Sequence, residues 1–132
     1  MAKLNIFISQ PMHGLSEREI LAERDRIEEV LHKLFPNDEL EFLSGYTSEA
    51  AHFRDETQER IYRLGCSIAT MAEADYVFFA CGYMSAEGCM VEWNTCFQYD
   101  IPYIKEVPRP QNYQDEAPSY RYEIHNFGGN RV

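Results

Sequence analysis

The chain has 132 residues, room for one domain and not for two separate cores. Its 45% hydrophobic and 26% charged residues are ordinary for a globular protein and exclude global disorder. Twenty-two acidic against twelve basic residues leave a net charge of −10, which opposes binding to nucleic-acid backbones and anionic membranes. No apolar run reaches the roughly 18 residues of a membrane span. Met1 to Leu4 opens without the apolar region of a signal peptide. The four cysteines, Cys66, Cys81, Cys89 and Cys96, show no CxxC spacing and no nearby histidine cluster. They read as reduced thiols, so a cytoplasmic protein without a metal or redox cofactor is expected.

In chain order, Leu4-Asn5-Ile6-Phe7-Ile8 reads as a buried strand, and Ser9 to Leu15, with Pro11 and Gly14, as a loop. Ser16 opens a helix, with Glu19 at capping-box spacing; Ile20, Ile27, Val30 or Leu31, and Leu34 recur at helical intervals, and Pro36-Asn37-Asp38 ends it. Arg18, Arg24 and Arg26, interleaved with acids, read as its solvated face. Leu40–Leu43 is a second strand, 44–53 a loop, and Asp55–Ala74 a second helix. Within that helix, Gly65 either weakens the element or marks close packing. Tyr76–Ala80 is the strongest strand pattern. Cys81–Met84 is a loop, Ser85 caps a third helix to about Tyr99, and Ile101–Ile104 is a fourth strand. The pattern fades beyond it. The reading is therefore an α/β domain over 1–105 and a tail over 106–132, the tail being either an extra strand (Tyr120–Ile124) or an inter-subunit arm.

Strands alternating with helices predict a parallel sheet of four to five strands covered on both faces. Ligands bind such sheets beyond the carboxyl ends of the strands, at the switch point. In the commonest small topology the first and third strands are neighbours there. The two glycine-containing loops, Ser9–Leu15 and Cys81–Glu87, would then face each other, with Lys105 at the sheet's far edge.

Glu92 stands out chemically. It follows Gly88 by four residues, so both share one helix face, and the absent side chain leaves room for a ligand over the carboxylate. The helix N-terminus favours its ionised form. An ionised carboxylate beside an open backbone suits attack on a sugar C1, where it stabilises oxocarbenium-like charge or bonds covalently. The plainer alternative is an exposed helix glutamate beside a packing glycine. Cys89, at the same helix start, is a rival nucleophile, with His13 in the opposing loop as a conceivable partner. Asp75, at the amino end of the third strand, reads as a cap or a solvated residue.

Ile6-Phe7-Ile8-Ser9-Gln10-Pro11-Met12-His13-Gly14, Ala74-Asp75-Tyr76-Val77-Phe78-Phe79 and Gly82-Tyr83-Met84-Ser85-Ala86-Glu87-Gly88-Cys89-Met90-Val91-Glu92 together resemble the nucleoside 2-deoxyribosyltransferase superfamily. The closest likeness is to its small bacterial and phage branch, related to the 2'-deoxynucleoside 5'-phosphate N-hydrolases. The resemblance spans roughly residues 3–105. It implies a flavodoxin-like (Rossmann-like) three-layer sandwich and cleavage of the base–deoxyribose bond, by transfer or hydrolysis. The family's nucleophilic glutamate falls on Glu92 and its turn glycine on Gly88.

Other positions depart from the family. Its tyrosine at the end of the first strand, which holds the nucleophile, falls on Phe7. A site aspartate falls on Ser67. The aspartate that helps protonate the base falls on Ala86, with Glu87 next to it. The small branch carries Trp and Arg where this chain has Tyr83 and Glu87. The implied site is Glu92 as nucleophile and Glu87 as acid, its pKa raised beside Glu92, or else Glu87 as a solvated first-turn residue. Phe7, Ser9, Gln10, Gly14, Ser67, Gly82, Tyr83 and Gly88 line the ligand. An acidic Glu87 weakens the case for a phosphate-bearing substrate. The resemblance also implies a small nucleoside or nucleotide ligand and a homo-oligomer, with Asn126 and Asn130 as candidates to complete a neighbour's pocket. A non-catalytic nucleotide-binding or sensing module of the same fold is the alternative.

Overall fold

The computed structural model describes residues 3–43, 53–110 and 119–127. They form β1 (Lys3–Ser9), α1 (Glu17–Leu34), β2 (Glu39–Leu43), α2 (Glu56–Met71), β3 (Tyr76–Phe79), α3 (Glu87–Tyr99), β4 (Tyr103–Pro108) and β5 (Tyr120–His125), with one 3₁₀ turn over Tyr83–Ser85. The strands make a single sheet in the order β2-β1-β3-β4-β5. β1 pairs in parallel with both β2 and β3, and β3 with β4. The architecture is α/β with a mostly parallel, Rossmann-like sheet. The expectation of a wholly parallel sheet is corrected at its edge, where β5 runs antiparallel to β4, from Tyr103 opposite His125 to Pro108 opposite Tyr120. β4 therefore continues past residue 105, and Lys105 lies on an interior strand, facing Glu123 of β5 at 3.5 Å.

Alternation along β1 sorts its side chains between two cores. Ile6 and Ile8 join Phe78, Ala80 and Ile104 against Ile27 and Leu31 of α1. Phe7 joins Val77, Phe79 and Tyr103 against Met71 of α2 and Cys96 of α3. α1 thus serves one core and α2 with α3 the other. At the amino end of the sheet, the Asn5 N–H donates to Asp75 Oδ2 at 2.8 Å, and the Asp75 N–H donates to the Asn5 carbonyl at 2.7 Å. Asp75 thereby registers β3 against β1, at the end of the sheet opposite the loops that follow these two strands.

The helix starts follow local chemistry. Ser16 and Glu19 form the expected capping box of α1. Asp55 caps α2 by accepting from the Gln58 N–H. Ser85, expected to cap α3, does not: its hydroxyl donates to the Gly82 carbonyl and closes the 3₁₀ turn, and Ala86 precedes α3 without a side-chain cap. α2 ends at Met71, short of Ala74. Gly65 leaves open space where a Cβ would stand, so close packing does not explain it. Among the described residues no helix is long and apolar enough to cross a membrane. The loop expected before Phe53 (44–52) and Asn130 lie outside the described residues.

Candidate functional site

The site is built where β1 and β3 end side by side. Their connections diverge there, β1 leading to α1 over one core and β3 to α3 over the other, the arrangement that opens a crevice in this class of sheet. The two loops meet. Gly82 adopts a left-handed conformation (φ +92°), and a Cβ built on it would lie 3.6 Å from Pro11. The chain thus turns sharply at Gly82 while staying against the β1 loop.

Ser9, the last residue of β1, lies on the same strand face as Phe7 and points toward α3. Its hydroxyl donates to Glu92 Oε1 at 2.6 Å. Ser9 and Glu92 are both buried, Glu92 at 7% exposure. Ser67 of α2 faces the same carboxylate, and its hydroxyl favours the charged form. Strand β1 and helices α2 and α3 therefore converge on one carboxylate. One turn earlier on α3, Gly88 has nothing within 4 Å of its missing Cβ position, so the space above that turn is open.

Burial changes the expected charge of this group. Desolvation pushes the Glu92 carboxyl up to about 7, against the opposing effect of the Ser9 and Ser67 hydroxyls. Near neutrality Glu92 is therefore divided between acid and carboxylate. The expectation of an ionised group is corrected, because loss of water outweighs the hydroxyls that favour the charge. The same burial pushes the Cys89 thiol up to about 11, and the Ser9 hydroxyl only partly offsets this. Cys89 is a protonated, buried thiol at neutral pH, which removes it as a rival nucleophile.

The other expected residues divide. Phe7, expected to line the ligand, is buried in the core below Ser9, and the hydroxyl that reaches Glu92 from β1 is that of Ser9, two residues later on the same strand face. Gln10 turns the other way, its amide donating to the Ile20 carbonyl at 3.1 Å and holding α1 to the end of β1. Tyr83 packs on Phe79 with ring centroids 5.4 Å apart, part of the core more than a free stacking platform. Gly14 lies in an exposed turn closed by the Leu15 N–H to the Met12 carbonyl, and His13 is exposed beside it. Glu87 is not the buried partner of Glu92. It is exposed at the start of α3 and forms an ion pair with Arg60 of α2. The expected pair of close carboxylates is therefore absent, since α2 offers Glu87 a cation at the surface.

A second buried carboxylate escaped sequence reasoning. Glu106 is 1% exposed on β4, on the strand face of Ile104. Arg26 of α1 grips it through two nitrogens at 2.8 and 2.9 Å. The Cys81 N–H and the Tyr122 hydroxyl each donate to it at 3.0 Å. Arg26 is also bonded to Glu23 and lies 5.1 Å from the Tyr120 ring centre. It is thus no solvated arginine, and the bond to Glu106 holds its guanidinium above its usual range. Burial and Glu106 push the Tyr122 hydroxyl up to about 12. This network ties α1, β4, β5 and the loop after β3 together beside the crevice. The available signal was a lone acid in an apolar strand pattern, but its partner is distant in sequence.

Compared with known protein families and with curated proteins, the chain matches none.

Proposed function

We propose that the chain is an N-glycosidic bond enzyme of the nucleoside 2-deoxyribosyltransferase type, with a flavodoxin-like three-layer fold, acting on a 2'-deoxynucleoside or its 5'-phosphate. The observation that carries this reading is the Glu92 carboxylate. It is buried and held by Ser9 at 2.6 Å, with open space over Gly88 one turn away. A sugar seated over Gly88 brings C1 toward Glu92. In its ionised form Glu92 attacks C1, a C–O bond forms as the C–N bond breaks, and the base departs with the bonding pair and takes a proton from water. Water then cleaves the glycosyl ester, releasing 2-deoxyribose or its 5-phosphate and restoring Glu92; a second base in place of water completes a transfer. Ser9 and Ser67 orient the carboxylate. The resemblance supports a homo-oligomer for this reading.

The test is incubation with 2'-deoxynucleosides and their monophosphates, following free base by chromatography. Release of base by the wild type, lost in both Glu92→Gln and Glu92→Ala, supports the enzyme. One observation favours the second reading, a nucleotide-binding or sensing module: Glu87, the candidate acid for the leaving base, is engaged at the surface by Arg60. That reading predicts ligand-dependent thermal stabilisation with no base released.

A further inference from the structure

The Arg60–Glu87 pair joins the two helices that hold the Glu92 carboxylate. Arg60 precedes Ser67 by seven residues on α2, which puts both on one helix face, about 10 Å apart along the axis. Glu87 precedes Glu92 by five residues on α3, about 7.5 Å along that axis. Deep in the seam between the helices, Ser67 meets Glu92. At its outer end Arg60 meets Glu87, with both side chains largely exposed.

A substrate whose C1 reaches Glu92 extends outward from the carboxylate, and a 5'-phosphate would add a dianion at the far end of the sugar. Arginine is the side chain suited to hold such a group, but among the described residues the arginines of α2 and the one just before its cap are already paired with acids. Arg60 is bonded to Glu87, Arg63 to Glu59 and Arg54 to Asp55. A phosphate that draws Arg60 away would leave the freed Glu87 carboxylate beside it. A neutral 5'-hydroxyl disturbs neither group.

Resting on the glycosidic reading above, we infer that the Arg60–Glu87 pair makes this site select uncharged 2'-deoxynucleosides over their 5'-monophosphates. Glu87 is then a specificity-determining residue instead of the acid for the leaving base.

The experiment compares kcat/KM for a 2'-deoxynucleoside and its 5'-monophosphate at low ionic strength in the wild type, Glu87→Gln and Arg60→Gln. The wild type is expected to prefer the nucleoside by about tenfold or more, the scale of one unfavourable charge contact. Glu87→Gln keeps the side-chain shape, frees Arg60 and is expected to shift the ratio toward the monophosphate by about tenfold. Arg60→Gln leaves Glu87 bare and shifts it the other way, and added salt narrows both shifts. A wild type that prefers the monophosphate, or a ratio unmoved in Glu87→Gln, overturns the inference while leaving the glycosidic reading intact. If no variant releases base, the glycosidic reading fails, and ligand-induced melting shifts decide this one. Stabilisation by the nucleoside alone sustains it. Stabilisation by the monophosphate, or by neither, overturns it.

Discussion

The Ser9 hydroxyl donates a 2.6 Å hydrogen bond to the Glu92 carboxylate across 83 residues of sequence. The bond lies in a buried seam, where it acts on a group that burial pulls toward its neutral form. Water removal favours the acid and the hydroxyls favour the carboxylate, so the protonation of Glu92 records the balance between them.

That balance makes stability depend on pH. Glu92 titrates near 4.5 when exposed in the unfolded chain and near 7 in the fold. Between those values the native state holds more protons, so this group's contribution is complete below about pH 4.5 and is lost as pH rises through about 7. Glu92→Gln cannot ionise. It is expected to match the wild type near pH 4.5 and to exceed it above pH 8 by on the order of 3 kcal/mol, measured by urea unfolding across that range.

Ser9→Ala removes a donor to the charged form, so the Glu92 carboxyl moves further up. A hydrogen bond to a charged group is worth about 1.5–3 kcal/mol, or roughly one to two pH units. Carbon-13 NMR titration of labelled glutamate should show that rise, and Ser9→Thr, which keeps the hydroxyl, should largely restore the wild-type value. Under the glycosidic reading, the ascending limb of the kcat/KM profile moves with it. A Glu92 resonance unmoved in Ser9→Ala would mean that the bond has no energetic weight.

Gly88 and Gly65 separate function from stability, since both leave open space where a Cβ would stand. Gly65 lies inside α2, and Gly65→Ala is expected to add about 1 kcal/mol of stability with activity unchanged. Gly88→Leu places a side chain in the open space one turn before Glu92. Under the glycosidic reading it is expected to lower kcat/KM by about a hundredfold or more, the loss that displacement of reacting atoms produces, with the melting temperature maintained.

Arg26 and Glu106 pair on the face of the sheet opposite Glu92. Arg26→Met keeps most of the apolar stem but leaves Glu106 buried without its counter-charge. The expected loss is about 3 kcal/mol in chemical denaturation. Glu106→Gln should cost less, because Arg26 still reaches solvent and Glu23.

What one segment determines by itself was legible in the sequence. The apolar run of β1, the capping box of α1 and the i, i+4 relation of Gly88 to Glu92 need only neighbouring residues and helical or strand periodicity. The core strands and the α/β alternation follow from the same local pattern. Only the tertiary structure decided the state and partners of the site. Burial set the protonation of Glu92 and removed Cys89 as a nucleophile. Packing of distant elements gave Ser9 to Glu92, Arg60 to Glu87 and Arg26 to Glu106. Desolvation and ion pairing depend on what surrounds a side chain in space, and periodicity along one helix or strand carries no record of which distant residue will be there.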